Sequence, residues 1–312
     1  IMPPAVVQAM DDASHWFVDM HELNEKAGNI IATLTGAEAG LVTAGSAAGM
    51  VLEAAATMAG NDPAKIWQLP DTSNMKNEII LHRAHRVNYD HSFRAAGAML
   101  VEIGNASTTQ EWELENAINE NTAAVAYIFG PRRGGAIPLR RTVEIAHQHD
   151  IPVIVDAAAM LPPLENLSRF IEEGADLVSF SGGKGVMGPQ STGILAGRAD
   201  LIEAAYANGA PNSVSVGRAA KVCKEEIAGL ITALEIFVDT DFEAVNANWR
   251  AKCVHVVDEL KEIPGLRVEL EEARPDHLEG GSNFAKAVIH FDQDWNGPNI
   301  EDINQMLFDG DP

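Results

Sequence analysis

Lys184 stands in an unusual setting, the glycine-rich stretch FSGGKGVMGPQ at residues 180–190. Glycines at positions 182, 183, 185 and 188 surround it, directly after an apolar run. Glycine lets a backbone adopt positive φ and approach a ligand closely. A lysine in such a bend is suited to acting as a nucleophile or to gripping a phosphate, and we interpret the glycines as clearance for a ligand.

A nucleotide phosphate loop is one alternative for this stretch. That loop requires the pattern G-x-x-x-x-G-K-[ST], which places a hydroxyl directly after the lysine. The segment SGGKGVMG has neither the spacing nor the Ser or Thr. The pattern therefore disfavours a nucleotide site.

Asp156 is the second residue whose position suggests chemistry. It follows the apolar run PVIV, which predicts the carboxyl end of a buried strand. Ligands of open α/β sheets bind at that edge, and a carboxylate there is costly unless a cation compensates it. Asp156 is therefore either the partner of a cationic ligand group or a structural cap or salt bridge. Between Asp156 and Lys184 the sequence predicts one helix and one strand. Lys184 therefore also falls at the carboxyl end of a strand, at the same edge of the sheet.

The third element is TAGSAAGM at residues 43–50, where a strand runs into a small-residue helix. Backbone N–H groups at a helix N-terminus bind phosphate, assisted by the helix dipole. Gly45, Ser46 and Ala47 would supply them here. The alternative is an ordinary serine N-cap.

The elements that must position these residues alternate along the chain. Strands rich in Val and Ile are predicted in AGLVTAG, MLVEIG, AAVAYIFG, IPVIVDAAA, ADLVSFSG and TGILAG, with amphipathic helices between them. The long opening segment is predicted as helical up to Gly36. This alternation predicts an α/β fold, a three-layer sandwich around a mostly parallel sheet. We expect a large domain over residues 1–230 and a smaller α+β domain over 231–312. The second domain is short of strands, so we expect residues to be missing at one or both ends of the chain.

A lysine for an imine, an aspartate for a pyridine nitrogen and a helix N-terminus for a phosphate together form a pyridoxal-phosphate site. The segments DLVSFSGGKGVMGPQSTGILAGRADLI, IPVIVDAAAMLPP and GRAAKVCKEEIAGL resemble the family of bacterial selenocysteine synthase and the D-glucosaminate-6-phosphate ammonia-lyases. That family belongs to pyridoxal-phosphate fold type I, the aspartate aminotransferase superfamily. The resemblance covers most of residues 10–240.

The resemblance implies a role for each of these positions. Lys184 would form the imine with pyridoxal 5'-phosphate and remove the substrate Cα proton. Asp156 would protonate or hydrogen-bond the pyridine nitrogen. Ser181 would add a hydroxyl to the phosphate grip. The same grip would include the backbone of Gly45, Ser46 and Ala47.

A ring that stacks on the cofactor is also expected in this fold. The segment ILHRAHRVNYDHSF offers His82, His85 and His91, and we choose His85, although each could be an ordinary surface histidine. Arg86 and Arg94 flank this cluster and could contact the substrate.

Two arginine-bearing segments are candidates for substrate or cofactor contacts. Arg132 and Arg133 follow a predicted strand in FGPRRGGAIP, where an arginine fork suits a carboxylate or phosphate. Arg218, Lys221 and Glu225 would share one face of a predicted helix. The resemblance implies that this helix faces a partner subunit, with Arg218 contacting the cofactor there; a charged surface stripe is the alternative.

Net charge limits the possible partners. The chain carries 45 acidic against 22 basic residues, a formal charge of −23. Such a field opposes the polyanionic backbone of nucleic acids and anionic membranes. We therefore expect neither nucleic acid nor membrane as a partner, and we disfavour the selenium transferase activity. The two cysteines, Cys223 and Cys253, have no disulfide or zinc-site spacing, which is typical of a reducing compartment such as the cytoplasm.

These observations favour a lyase. We expect Cα-proton abstraction and α,β-elimination on a β-hydroxy, possibly phosphorylated or sugar-derived amino acid, giving a 2-oxo acid and ammonia. A racemase or another Cα-proton reaction is the main alternative, and an inactive scaffold is less favoured because both Asp156 and Lys184 are present. We expect no metal, and at least a homodimer.

Overall fold

A computed structural model of the chain describes residues 1–129, 135–273 and 284–310. The helices are α1 Pro4–Ser14, α2 Met20–Thr35, α3 Gly45–Ala59, α4 Pro63–Gln68, α5 His91–Ala95, α6 Glu111–Ala117, α7 Leu139–His147, α8 Asn166–Glu172, α9 Ala199–Ala207, α10 Lys224–Val238, α11 Phe242–Leu260 and α12 Ile300–Asp309. The strands are β1 Ala39–Thr43, β2 Glu78–His82, β3 Met99–Ile103, β4 Thr122–Ile128, β5 Val153–Asp156, β6 Leu177–Ser181, β7 Gly193–Gly197, β8 Leu266–Glu271 and β9 Lys286–Phe291.

The central sheet has seven strands in the order β1-β7-β6-β5-β4-β2-β3. Strand β7 is antiparallel to both of its neighbours, and the other four pairings are parallel. Helices α3, α5 and α9 pack together and α3 lies on the sheet, while α2, α7 and α8 contact β1, β5 and β6. The predicted mostly parallel three-layer α/β fold is confirmed.

Burial explains why these strands form the middle layer. All residues of β4 and β5 are buried, as are those of β6 and β7. Strands covered on both faces read as continuous apolar runs rather than alternating ones. That composition is what made these strands recognisable in the sequence.

The chain divides into two compact units, and the second begins at Asp241. This second unit contains α11, the antiparallel hairpin β8–β9 and α12. The division falls after Thr240 rather than after residue 230, so all of α10 belongs to the first unit. Within the described ranges, no helix is both long and apolar enough to cross a membrane.

Three local features differ from the sequence-based expectations. The opening helical segment is broken between Ser14 and Met20, because the Asp19 side chain caps α2 by accepting from the His21 N–H at 2.8 Å. Strand β2 was not predicted, since its five residues run directly into the histidine-rich segment. The helix that was predicted to carry Arg218, Lys221 and Glu225 begins only at Lys224.

Candidate functional site

Most of the residues singled out from the sequence lie at one edge of the sheet, the edge formed by the carboxyl ends of its parallel strands. Strands β1, β2, β4, β5 and β6 run in the same direction, so their carboxyl ends meet there. Gly45 follows β1, and His85 follows β2. Asp156 ends β5, and Ser181 ends β6. Segments that lie far apart in the sequence thus converge where open α/β sheets bind ligands.

The start of α3 forms a backbone cradle beside β7. Thr43, Gly193 and Ser181 occupy one row across β1, β7 and β6. A Cβ atom on Gly193 would lie 2.5 Å from the carbonyl carbon of Gly45 and 2.7 Å from the amide nitrogen of Ser46. Gly193 therefore has to be glycine for α3 to begin so close to the sheet, a requirement that sequence reasoning missed.

The first N–H groups of α3 point away from the helix without a side-chain cap. Ala44 precedes the helix, and its methyl group cannot accept a hydrogen bond. Gly45 takes φ +78°, the left-handed region that glycine tolerates. An anion placed at this helix end would satisfy unpaired donors and interact favourably with the helix dipole.

Asp156 is held at the edge of the sheet by its own backbone pairings. It lies between Ile128 of β4 and Ser179 of β6 in the parallel ladders. The Ala158 N–H donates to the Asp156 Oδ1 at 3.0 Å, and Asp156 is 7% exposed. A carboxylate with that much burial is suited to a cationic partner.

Lys184 projects from a compact turn directly after β6. The Gly188 N–H donates to the Gly182 carbonyl at 2.8 Å, and Lys184 itself is exposed. A Cβ atom on Gly185 would lie 2.1 Å from the carbonyl oxygen of Leu161. This glycine therefore lets the turn pack against the protein's own backbone, which corrects our interpretation of it as clearance for a ligand.

His82 and His85 are both buried at this edge, whereas His91 begins α5 and is exposed. The His85 ring centroid is 4.5 Å from that of Tyr127, and its Nδ1 accepts from the Ile128 N–H at 3.4 Å. The His82 Nε2 accepts from the Ile137 N–H at 3.3 Å. Burial lowers the pKa of His82 to about 4, so its ring is neutral near pH 7.

Arg86 belongs to an ion-pair network rather than to the open face of the site. Its Nε lies 2.5 Å from the buried Asp90 carboxylate, and it also pairs with Glu102. Arg83 contacts the same Glu102 at 2.8 Å. These contacts fix the short 3-10 turn Arg83–His85 that carries His85. Arg94 lies exposed on α5.

The remaining basic candidates have different outcomes. Arg132 and Arg133 lie outside the described residues. Arg218 and Lys221 precede α10 and are not on it, so the predicted helix face with Glu225 is wrong. The chain turns there because the Gly217 N–H donates to the Asn208 carbonyl at 2.9 Å.

The residues around Arg218 line a cavity of about 420 Å³. Lys221 and Lys224 also line it, together with Asn24 of α2 and Thr43 of β1. The Lys224 ammonium contacts Glu225 and lowers the pKa of that carboxyl to about 2. The cavity thus places two further basic residues, Arg218 and Lys221, near the end of β1.

Glu53 is a buried acid that sequence reasoning missed. It lies on α3 with no exposed surface, and its Oε1 accepts from the Ser179 Oγ at 2.8 Å. Burial, opposed by this hydrogen bond and reinforced by the charge of Asp156, raises the pKa of Glu53 to about 8. The signal was present, because Glu53 is the one acidic residue in the helix sequence GSAAGMVLEAAATMA.

Metal-ligating and thiol side chains are two further kinds of candidate group. No group of three or more His, Cys, Asp or Glu side chains there is arranged to hold a metal ion. Cys223 is an exposed free thiol and Cys253 a buried one.

Comparison with known proteins identifies the family. The model of the family SelA, L-seryl-tRNA selenium transferase, matches residues 20–249. A D-glucosaminate-6-phosphate ammonia lyase of Salmonella typhimurium is 31% identical over 99% of this chain and 80% of its own length. A 5'-C-glycyluridine monooxygenase-decarboxylase of a Streptomyces species is 34% identical over 84% of this chain, which spans 65% of that relative.

The fold agrees with the sequence matches. A solved structure of D-glucosaminate-6-phosphate ammonia-lyase superposes with a TM-score of 0.86 at 31% identity, covering 99% of this chain and 80% of that one. The predicted cofactor, pyridoxal 5'-phosphate, and the predicted lyase class agree with this family and fold. Since the family model matches residues 20–249 and a relative matches nearly the whole of this chain, the chain belongs to the SelA family and is a pyridoxal-phosphate-dependent enzyme of fold type I, as its sequence predicts.

Proposed function

We propose that this chain is a pyridoxal-phosphate-dependent ammonia-lyase for a phosphorylated, sugar-derived β-hydroxy amino acid of the D-glucosaminate-6-phosphate type. The observation that carries the proposal is the convergence of Lys184, Asp156 and the N-terminus of α3 at one sheet edge. The similarity to the Salmonella lyase over nearly the whole chain supports the substrate class.

The residues at this edge fit the cofactor in chemistry. The uncapped N-terminus of α3 and the Ser181 hydroxyl are donors for a phosphate. The buried Asp156 would pair with a protonated ring nitrogen, and the Lys184 amine would hold the cofactor covalently. When bound, the cofactor supplies an electron sink for the carbanion formed at Cα.

The chain's own residues then direct the reaction. Lys184 Nζ removes the Cα proton, and its exposure on a turn lets it reach a bound substrate. Asp156 would hold the ring nitrogen in its protonated form, and His85 would supply a ring beside the cofactor. The β-hydroxyl leaves as water, and water is taken up again when the nitrogen leaves as ammonia. The net change converts a β-hydroxy amino acid into a 2-oxo acid and ammonium, and it uses no oxidant.

A substrate with a carboxylate and a phosphate is negatively charged, so basic residues are the candidates for binding it. Arg218 and Lys221 line the cavity beside β1, and Arg132 and Arg133 follow β4 in sequence. A local basic cluster is required because the chain as a whole carries a charge of −23. We propose that these residues bind the substrate's carboxylate and phosphate, and that Arg218 contacts the cofactor across a homodimer interface. We also propose a cytoplasmic location and no nucleic-acid partner.

A second function is favoured by the 34% identity to the Streptomyces monooxygenase-decarboxylase. That activity, by its name, consumes oxygen and releases carbon dioxide, whereas elimination does neither. Oxygen uptake and carbon dioxide release in the presence of amino acids would favour it. A racemase would instead exchange the Cα proton in deuterated water without releasing ammonia or oxo acid.

The cofactor assignment is tested by Lys184→Ala. The parent protein should take up pyridoxal phosphate with a visible absorbance band and release ammonia from phosphorylated β-hydroxy amino acids. Lys184→Ala should lose the band and the activity, while Lys76→Ala, which removes another exposed lysine, should keep both. A Lys184→Ala protein that keeps the parent's absorbance band would contradict the assignment.

A further inference from the structure

Glu53 is buried deeper than any group the proposed chemistry uses. It has no exposed surface, and its Oε2 finds no hydrogen-bond partner in the described ranges. A carboxyl group in an apolar core is costly, and that cost favours its neutral form. A fold that only needed to fill this space would do better with a leucine or methionine.

Ser179 connects Glu53 with the edge of the sheet. The Ser179 hydroxyl donates to Glu53 at 2.8 Å, and Ser179 pairs with Asp156 in the parallel ladder. Because paired residues of neighbouring strands point to the same face, the Asp156 and Ser179 side chains both face α3. A Cβ atom on Gly49 would lie 2.7 Å from the Ser179 Oγ, so the helix passes directly over this serine.

Two carboxyl groups share this face of the sheet, and they cannot both be charged without cost. Glu53 has no exposed surface, whereas Asp156 is 7% exposed at the sheet edge. Burial and the charge of Asp156 both raise the pKa of Glu53. Of the two carboxyl groups, Glu53 is therefore the one whose environment favours the protonated form.

We propose that Glu53 is a positioning residue for Asp156: as an uncharged acceptor it holds the Ser179 hydroxyl in place beside Asp156 without adding a negative charge, so that Asp156 can pair with the cofactor's ring nitrogen. This inference rests on the proposed function, since it assigns Asp156 to that nitrogen. It also explains why the helix that begins at the phosphate cradle carries an acid two turns further along.

The test compares four variants of the full chain. Glu53→Leu keeps the volume but removes the acceptor for Ser179, and Ser179→Ala removes the donor. Glu53→Gln keeps a neutral acceptor, and Met58→Leu changes another buried residue of the same helix as the matched control. For each, the measurements are the dissociation constant for pyridoxal phosphate, the pH midpoint of the bound cofactor's visible absorbance and the thermal midpoint of the protein.

Glu53→Leu and Ser179→Ala should raise the dissociation constant about tenfold, the scale of one lost hydrogen bond near a charged group. Both should also shift the pH midpoint of the absorbance, without a matching loss of thermal stability in Glu53→Leu. Glu53→Gln and Met58→Leu should each keep the dissociation constant and the pH midpoint of the parent protein.

Three results would overturn the inference. Parent-like affinity and pH midpoint in Glu53→Leu would show that Glu53 does not act on the cofactor. Parent-like values in Ser179→Ala would remove the connection, and a Glu53→Gln variant as weak as Glu53→Leu would show that a charged carboxylate is needed. A parent protein that takes up no pyridoxal phosphate would instead overturn the proposed function, and this inference with it.

Discussion

At the scale of single residues, the site depends on side chains held in one charge state by burial. His82 has no exposed surface, and its Nδ1 lacks a hydrogen-bond partner among the described residues. Its ring centroid lies 4.9 Å from that of His85, which in turn contacts Tyr127. A neutral His82 therefore packs against His85, the histidine that we propose stacks on the cofactor, and adds no charge beside it.

The low pKa of His82 predicts a specific acid sensitivity. Its folded-state pKa is about 4, below the ordinary 6.5, so the unfolded chain binds a proton that the folded chain excludes. Stability is therefore lost as pH falls from 6.5 toward 4, by at most about 1.4 kcal/mol per pH unit. His82→Gln, which keeps an acceptor for the Ile137 N–H, should lose less stability over that range. Urea unfolding at pH 7.5 and pH 5 measures it.

The control for this prediction is His91→Gln, which changes an exposed histidine of the same segment. It should follow the parent protein at both pH values. Equal losses of stability in His82→Gln and the parent would show that His82 is not held neutral by the fold.

At the scale of elements, α3 provides both a candidate phosphate-binding N-terminus and the buried acid Glu53. The sequence predicted the first of these but not the second. The start of α3 at Gly45 and Ser46 was predicted as a phosphate-binding end because a strand runs into small residues there. The helix can begin so close to the sheet because residue 193, far away in sequence, is a glycine. Glu53 also escaped prediction, because one acid in a helix is normally a solvent-exposed residue.

Gly193→Ala tests the cradle at the start of α3. The new methyl group would lie 2.6 Å from the Thr43 Oγ1 and 2.7 Å from the Ser46 nitrogen, so the helix start must shift. We expect affinity for pyridoxal phosphate to fall at least about tenfold, with about 1–3 kcal/mol of lost stability. Absorbance titration and urea unfolding measure the two effects.

Gly209→Ala is the matched control, since a Cβ atom there meets nothing closer than 3.3 Å. It should retain affinity near that of the parent. If Gly193→Ala binds the cofactor as tightly as this control, the N-terminus of α3 is not the phosphate site.

Glu53 predicts the opposite pH dependence from His82. Its folded-state pKa is raised from 4.5 to about 8, so the unfolded chain loses a proton that the folded chain keeps. The parent protein should therefore lose stability as pH rises from 4.5 to 8, on the order of 1.4 kcal/mol per pH unit at most. Glu53→Gln should not, so its stability relative to the parent should grow across that range. A difference that stays constant between pH 5 and pH 8 in urea unfolding would refute this.

Elements with strong local patterns were predicted well, and those defined by distant contacts were not. The buried strands β4 to β7 read as apolar runs, and Gly36 ends α2 with φ +71° as a helix-terminating glycine should. Strand β2 was missed because it runs directly into the histidine-rich segment, and it forms because β3 and β4 pair with it on both sides. The chain before α10 has helical spacing, but the backbone pairing of Gly217 with Asn208 and the Glu226 cap on the Cys223 N–H at 3.0 Å delay the helix.

At the scale of the whole molecule, the net charge of the chain bears on which partners it can bind. The family is described by a transferase that acts on seryl-tRNA, yet this chain carries 45 acidic and 22 basic residues. Binding to nucleic acid draws on clustered Lys and Arg that release counterions. The net charge is therefore our reason to expect a small substrate rather than tRNA.

This contrast predicts that the protein does not bind tRNA. Fluorescence polarisation of labelled bulk tRNA at low salt should stay unchanged up to about 10 µM protein, where basic proteins already bind nonspecifically. Binding that weakens with added salt would contradict the assignment to small substrates and restore the transferase as a candidate.

The most direct test of the account follows the products formed by the pyridoxal-phosphate-loaded protein from D-glucosaminate 6-phosphate and related β-hydroxy amino acids, without oxygen and in deuterated water. The account predicts ammonia and a 2-oxo acid in equal amounts from a phosphorylated substrate, and neither product with Lys184→Ala. Exchange of the Cα proton without either product, or activity that appears only when oxygen is admitted, would contradict it.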